Sequence, residues 1–353
     1  MESVIKVKRK KTSILMKIFI GFCLIIGLLI IFLIGSFINE LVASSKVEEN
    51  YPVPGTLVEA GGSKLHVLKQ GSGSPTIVFE SGQGATSMYW RKVVSQLPSN
   101  VTVVTYDRAG YGWSEKHVSK RTGENIAKEL HTALENAQIG GPYIFVAHSI
   151  GGMYSRIFAK EYKGEMFGMM FLDSPSENFL KQIDKIIKNA GFDPKSFGTA
   201  PTGTLKFLKT SGLLRVFKGP ILGSYYDTEK EINEAVNITM TPQYYDAIKA
   251  ETLEEPKLAK ALQNQTLGDI PITVISKGKA EDFTELGLSE KDNKTLQELW
   301  NKEQKWLATL STDSEILVAE NSGHNIPIDE PDLVITEINK LIKRVQNKNS
   351  HKH

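Results

Sequence analysis

A serine followed by two glycines, Ala147-His148-Ser149-Ile150-Gly151-Gly152, closes one apolar run and opens a helical pattern. A serine on a sharp strand-to-helix turn needs very small neighbours two positions to either side, because larger side chains would collide there. Gly151 meets that need, and Ala147 departs from glycine there by one methyl group. Ser149 therefore reads as a nucleophile. Serine is a weak nucleophile at neutral pH, and a base must stand within hydrogen-bond reach of it.

The chain has seven histidines, and their settings separate them. His351 and His353 fall in the terminal tail, His66 in the first hairpin and His131 on a helix. His148 adjoins the serine and should point elsewhere, and His117 lies in a loop that could border a pocket. His324, in Asn321-Ser322-Gly323-His324, follows the last apolar run on a glycine-bearing loop and is the expected base. A carboxylate must then fix the imidazole tautomer. Asp173, ending the run Met169 to Leu172, is favoured over Glu281 and Asp282, which follow Ile272 to Ser276. Two backbone N–H groups should hold an oxyanion. The expected donors are Ile150, just after the serine, and Gln83 in the turn Glu80-Ser81-Gly82-Gln83-Gly84.

Strands must carry these loops. A hairpin is expected at Thr56 to Glu59 and Lys64 to Lys69, with further strands at Pro75 to Phe79, Val101 to Tyr106, Tyr143 to Ala147, Met166 to Leu172, Pro271 to Ser276 and Glu315 to Ala319. Helical patterns at Glu124 to Asn136 and Met153 to Tyr162 alternate with them, which implies βαβ units and a mainly parallel sheet. Strand patterns vanish between Ser176 and Gln265, where Leu205 to Phe217 and Tyr244 to Leu262 read as helices of an inserted cap. The last helix repeats Val334, Ile338, Leu341, Ile342 and Val345 on one face.

Four ordered segments resemble the motifs of the α/β-hydrolase superfamily: Ser81-Gly82-Gln83-Gly84, Tyr106-Asp107-Arg108-Ala109-Gly110-Tyr111-Gly112, His148-Ser149-Ile150-Gly151-Gly152 and Ser322-Gly323-His324. The resemblance covers Gly55 to about Val345. It implies an α/β fold with about eight strands, a helical cap after the sixth, and nucleophile, acid and base in that chain order. Many members carry His-Gly where this chain has Ser81-Gly82, a change that should alter loop bonding more than the backbone donor. Asp173 lies 24 residues beyond Ser149, similar to relatives whose acid follows the sixth strand. Dehalogenases and epoxide hydrolases of this fold use Asp at the nucleophile turn. A serine there implies esters, thioesters, amides or carbon–carbon bonds activated by a carbonyl, with ester hydrolysis the default and an amidase, a peptidase or a non-catalytic binding protein as alternatives. No cofactor and no metal is implied, and the expected partner is a small acyl substrate.

Residues 18–38 form an uncharged run of 21 residues, long enough to span ~30 Å of hydrocarbon. Lys6, Lys8, Arg9, Lys10, Lys11 and Lys17 precede it, whereas Glu40, Glu48 and Glu49 follow it with Lys46 alone. Basic residues stay inside, so the reading is a single-pass cell-membrane protein with a cytoplasmic N-terminus and its main domain outside. A cleaved signal peptide, with Val42-Ala43-Ser44 as a weak cleavage site, is the competing reading. Residues 39–52 read as a stalk, 53–346 as the folded domain with residues 176–265 as its cap, and 347–353 as a tail. With 42 basic against 40 acidic residues, the chain is not built to bind nucleic acid. Its one cysteine, Cys23, excludes an internal disulfide.

Overall fold

The structure is a computed structural model that describes residues 14–194, 201–222, 226 and 228–350. Lys6 to Lys11, His351 and His353 lie outside the described residues. Eight strands form one sheet in the order β1-β2-β4-β3-β5-β6-β7-β8. They are β1 (Thr56–Glu59), β2 (Lys64–Gln70), β3 (Thr76–Glu80), β4 (Thr102–Tyr106), β5 (Tyr143–His148), β6 (Met166–Leu172), β7 (Ile272–Lys277) and β8 (Ser314–Ala319). β2 runs antiparallel to β1 and β4, and the strands from β4 to β8 pair in parallel.

Every residue of β3, β4, β5 and β7 is buried, as parallel strands covered on both faces must be. Side chains alternate between the faces. Ile77, Phe79, Ile144, Val146, Met170 and Leu172 pack against Val334, Ile338, Leu341, Ile342 and Val345 of the terminal helix Pro331–Ser350. Val78, Val104, Phe145 and Phe171 face the helices Gly123–Asn136 and Gly151–Glu161 through Ile126, Leu130, Met153 and Ile157. The βα loops thus gather beyond the C-terminal ends of β3, β5, β6, β7 and β8, where ligands of open α/β sheets bind.

Between β6 and β7 the described residues form the helices Glu177–Asn189, Thr202–Thr210, Leu213–Val216, Lys218–Leu222, Glu229–Glu234 and Pro242–Ala261, with a π-turn at Ala235–Thr239. The continuous helix expected over Leu205 to Phe217 is broken at Gly212, whose φ of +77° no helix accommodates. A further helix, Glu290–Ala308, joins β7 to β8 and was not foreseen.

The apolar N-terminal segment forms one helix, Ile14–Ser45, of 32 residues, long and apolar enough to cross a membrane. The expected stalk is helical in the structure: that helix continues to Ser45, and Val47–Asn50 follows as a short turn. Ion pairs explain the order. Glu40 meets Lys209 at 2.7 Å and Arg215 at 2.9 Å, so the helix end is bound to the cap.

Candidate active site

Ser149 sits where β5 ends and the helix Gly151–Glu161 begins, at φ +54°, a conformation that non-glycine residues enter only at a cost of roughly 1–3 kcal/mol. Its N–H is fixed by the Leu172 carbonyl at 3.0 Å, and its own carbonyl receives the Gly152 N–H at 3.0 Å. A side chain on Gly151 would stand 2.6 Å from the Glu80 carbonyl oxygen, so the turn closes against β3 only because that position is bare. The serine is half-buried and lines a cavity of about 290 Å³ that also borders His324, Trp300 and Ile150.

His324 lies on the loop after β8, and its Nδ1 meets Asp173 Oδ2 at 2.6 Å. Asp173 follows β6 at φ +45°, its N–H bonded to the Ile275 carbonyl at 2.8 Å. A carboxylate on Nδ1 keeps the proton there and leaves Nε2 as the basic nitrogen. The other carboxylate oxygen, Oδ1, accepts the Trp300 indole N–H at 2.7 Å and the Lys277 backbone N–H at 3.1 Å. Burial alone would raise the Asp173 pKa. The bond from His324, followed by the charge and N–H of Lys277, outweighs it and holds the carboxyl below its ordinary range.

The remaining candidates separate cleanly. Asp282 is exposed and bonds the N–H and hydroxyl of Thr284 at 2.9 and 2.6 Å. Glu281 lines the cavity but pairs with Lys277 at 3.0 Å, away from His324 Nδ1. His148 is buried under the His324 loop, its Nε2 at 2.9 Å from the His324 carbonyl. Burial, followed by the neighbouring imidazole, presses its pKa down to about 3, which keeps it neutral. His117 bonds the Ser119 carbonyl at 3.2 Å and does not border the cavity. His66 is buried against Asp107 at 2.8 Å, and His131 stacks on Tyr162.

Among the described residues, the backbone N–H groups of Ile150 and Gln83 have no acceptor. Both residues border the cavity. The loop that carries Gln83 is held from below by Arg108, which donates to the carbonyls of Ser81 at 2.6 Å and Gly82 at 2.8 Å. The same guanidinium pairs with Glu80 at 2.8 Å and Glu251 at 3.0 Å, all three side chains buried. Tyr106 closes this group through its hydrogen bond to Glu80. Where many relatives have histidine, Ser81 accepts the Trp90 indole N–H at 2.8 Å. Above the loop, the Gln83 amide donates to Thr252 at 3.1 Å and Glu255 at 3.2 Å on the cap helix Pro242–Ala261.

Four contributors escaped the sequence: Trp300, Lys277, Glu255 and the Arg108 to Glu251 pair. Only Trp300 left a signal. Ser289-x-x-Asp292 is a helix start, and Leu296, Leu299, Trp300 and Leu307 repeat at helical spacing, all buried.

A family model of the alpha/beta hydrolase fold matches residues 75–203, the span from β3 through the Ser149 turn into the cap. The chain has the α/β-hydrolase fold. The chain is 27% identical over 266 residues to YqjL of Bacillus subtilis, covering 75% of this chain and 83% of that protein. In fold it is similar to the Cif epoxide hydrolase from Acinetobacter nosocomialis, at 18% identity and a TM-score of 0.63, over 86% of this chain and 96% of that one. A thermophilic esterase from Thermogutta terrifontis is similar at 16% identity and a TM-score of 0.56, over 82% and 98%. Among the described residues no cluster of three or more His, Cys, Asp or Glu side chains could hold a metal ion.

Proposed function

We propose that the chain is a membrane-anchored serine hydrolase that cleaves carboxylic esters through an acyl-enzyme. The observation that carries this reading is the 2.6 Å contact of His324 Nδ1 with Asp173, made at the rim of the cavity that Ser149 lines. His324 Nε2 takes the proton of the Ser149 hydroxyl as the oxygen attacks the ester carbonyl. The N–H groups of Ile150 and Gln83 receive the negative oxygen of the tetrahedral intermediate. Imidazolium then protonates the departing alkoxide, and a water activated by the same nitrogen releases the acid.

Serine in place of aspartate at the turn supports acyl chemistry over the opening of epoxides, which is the activity named for one structural neighbour. A cavity of about 290 Å³ with a largely apolar lining suits a small acyl group. The uncharged run at 18–38 supports a single pass through the cell membrane, and the basic residues before it support a cytoplasmic N-terminus with the hydrolase domain outside.

Fluorophosphonate labelling of the full chain in detergent tests the reading, beside Ser149→Ala and His324→Ala and with p-nitrophenol release from short acyl esters. Label and turnover should both vanish in the two variants. A folded wild-type chain that neither labels nor turns over would replace this reading with a non-catalytic binding protein.

A further inference from the structure

The N-terminal helix is joined to the cap at a definite height. Ser36 and Glu40, one helical turn apart, are its two buried residues, while its apolar side chains from Ile14 to Val42 are exposed. Gly212 packs so closely on the Ser36 carbonyl that any side chain at 212 would run into it. Glu40 is gripped by Lys209 and Arg215, which are themselves tied to the Val236 carbonyl at 2.8 Å and Asn237 at 3.0 Å.

Ser36 lies two residues before the end of the apolar run at Ile38, so at 1.5 Å per residue it sits about 3 Å inside the hydrocarbon boundary. The Gly212 turn of the cap must then lie at that boundary too. The helices on either side of Gly212 expose the largest apolar side chains of this part of the cap: Phe207 at 62%, Val216 at 45% and Phe217 at 49%. In water such groups would stand unburied, whereas at the headgroup level they enter the acyl boundary.

We infer that the cap face bearing Phe207, Val216 and Phe217 rests on the lipid bilayer, in continuity with the membrane-spanning helix. The occupant is the bilayer surface itself, and the inference rests on the anchor reading above. It gives the cap a role beyond enclosing the cavity: the element that covers Ser149 also touches the lipid phase.

The test uses the full-length chain in phosphatidylcholine–phosphatidylglycerol vesicles, with an NBD fluorophore on one cysteine at a time. The positions are native Cys23, then Phe207→Cys and Phe217→Cys in a Cys23→Ser background, with Ile316→Cys on the opposite edge strand as the aqueous reference. Fluorophosphonate labelling at the wild-type level selects folded variants. Doxyl-labelled lipid should remove about half of the emission or more at Cys23, 207 and 217 and leave 316 unchanged. Quenching at Cys23 with 207 and 217 behaving like 316 would overturn the docking and leave the anchor standing. Loss of quenching at Cys23 itself would overturn the anchor and the docking with it. A blue shift at 207 and 217 without doxyl quenching would mean a protein contact in place of lipid, and would also overturn the inference.

Discussion

Trp300 donates its indole N–H to Asp173 Oδ1 at 2.7 Å, the oxygen that His324 leaves unused. One residue thereby orients the carboxylate from behind while its ring forms part of the cavity wall. Hydrogen bonds to a charged group contribute about 1.5–3 kcal/mol, and each 1.4 kcal/mol is a factor of ten. Trp300→Phe keeps the ring and deletes the donor. Its kcat on p-nitrophenyl acetate should fall roughly tenfold or more at unchanged far-UV circular dichroism.

The two acid candidates predict opposite outcomes. Asp173→Asn should lower kcat by about 10⁴, because the amide selects the wrong imidazole tautomer. Asp282→Asn should leave turnover within about twofold of wild type, since surface changes away from such features have small effects. Steady-state kinetics on one ester decides between them, and a reversed order would assign the acid to the loop after β7.

Arg108 ties the Gln83 loop to the cap, so its loss should register in stability as well as rate. Arg108→Met leaves Glu80 and Glu251 buried without a cation, a change that costs about 3–5 kcal/mol. At roughly 2–4 °C per kcal/mol for a domain of this size, Tm should fall by about 10 °C. Differential scanning calorimetry of the full chain in detergent reads it directly, and a Tm within about 2 °C of wild type would refute the structural role.

Glu255 gives a pH dependence of definite sign. Burial, opposed by the Gln83 amide and reinforced by Glu251 and Asp184, raises its pKa from 4.5 to about 7. The folded chain therefore holds this proton more firmly than the unfolded one, and the stability gained is full below 4.5 and lost as pH rises through about 7. Asp173, shifted the other way, acts only at lower pH. Between pH 5 and 8 the wild-type Tm should drop further than that of Glu255→Gln. Parallel Tm curves for the two would show that Glu255 is charged in the fold throughout.

The strands were legible because buried parallel strands must be apolar along their whole length, and Ile77 to Phe79 or Ile144 to Val146 announce that in any window. Ser149 and His324 were legible because each sits on a glycine-marked loop next to such a run. That Asp173 and not Asp282 meets His324 was not forced by local pattern; Trp300 and Lys277, which hold the Asp173 carboxylate, reach it from 127 and 104 residues away in the chain. Arg108 and Glu251 are 143 residues apart, and a charged pair at that separation leaves no periodic trace. The docking of the helix end on the cap left no trace for the same reason, since the partners of Glu40 are Lys209 and Arg215.

The guanidinium of Arg108 reaches two carbonyls of the loop that carries Gln83 and, with another edge, a carboxylate of the cap helix Pro242–Ala261. That arrangement is an interlock. Lifting this helix would strip Glu251 from its cation and loosen the loop in one movement, so the cap helix and the Gln83 loop share a single restraint.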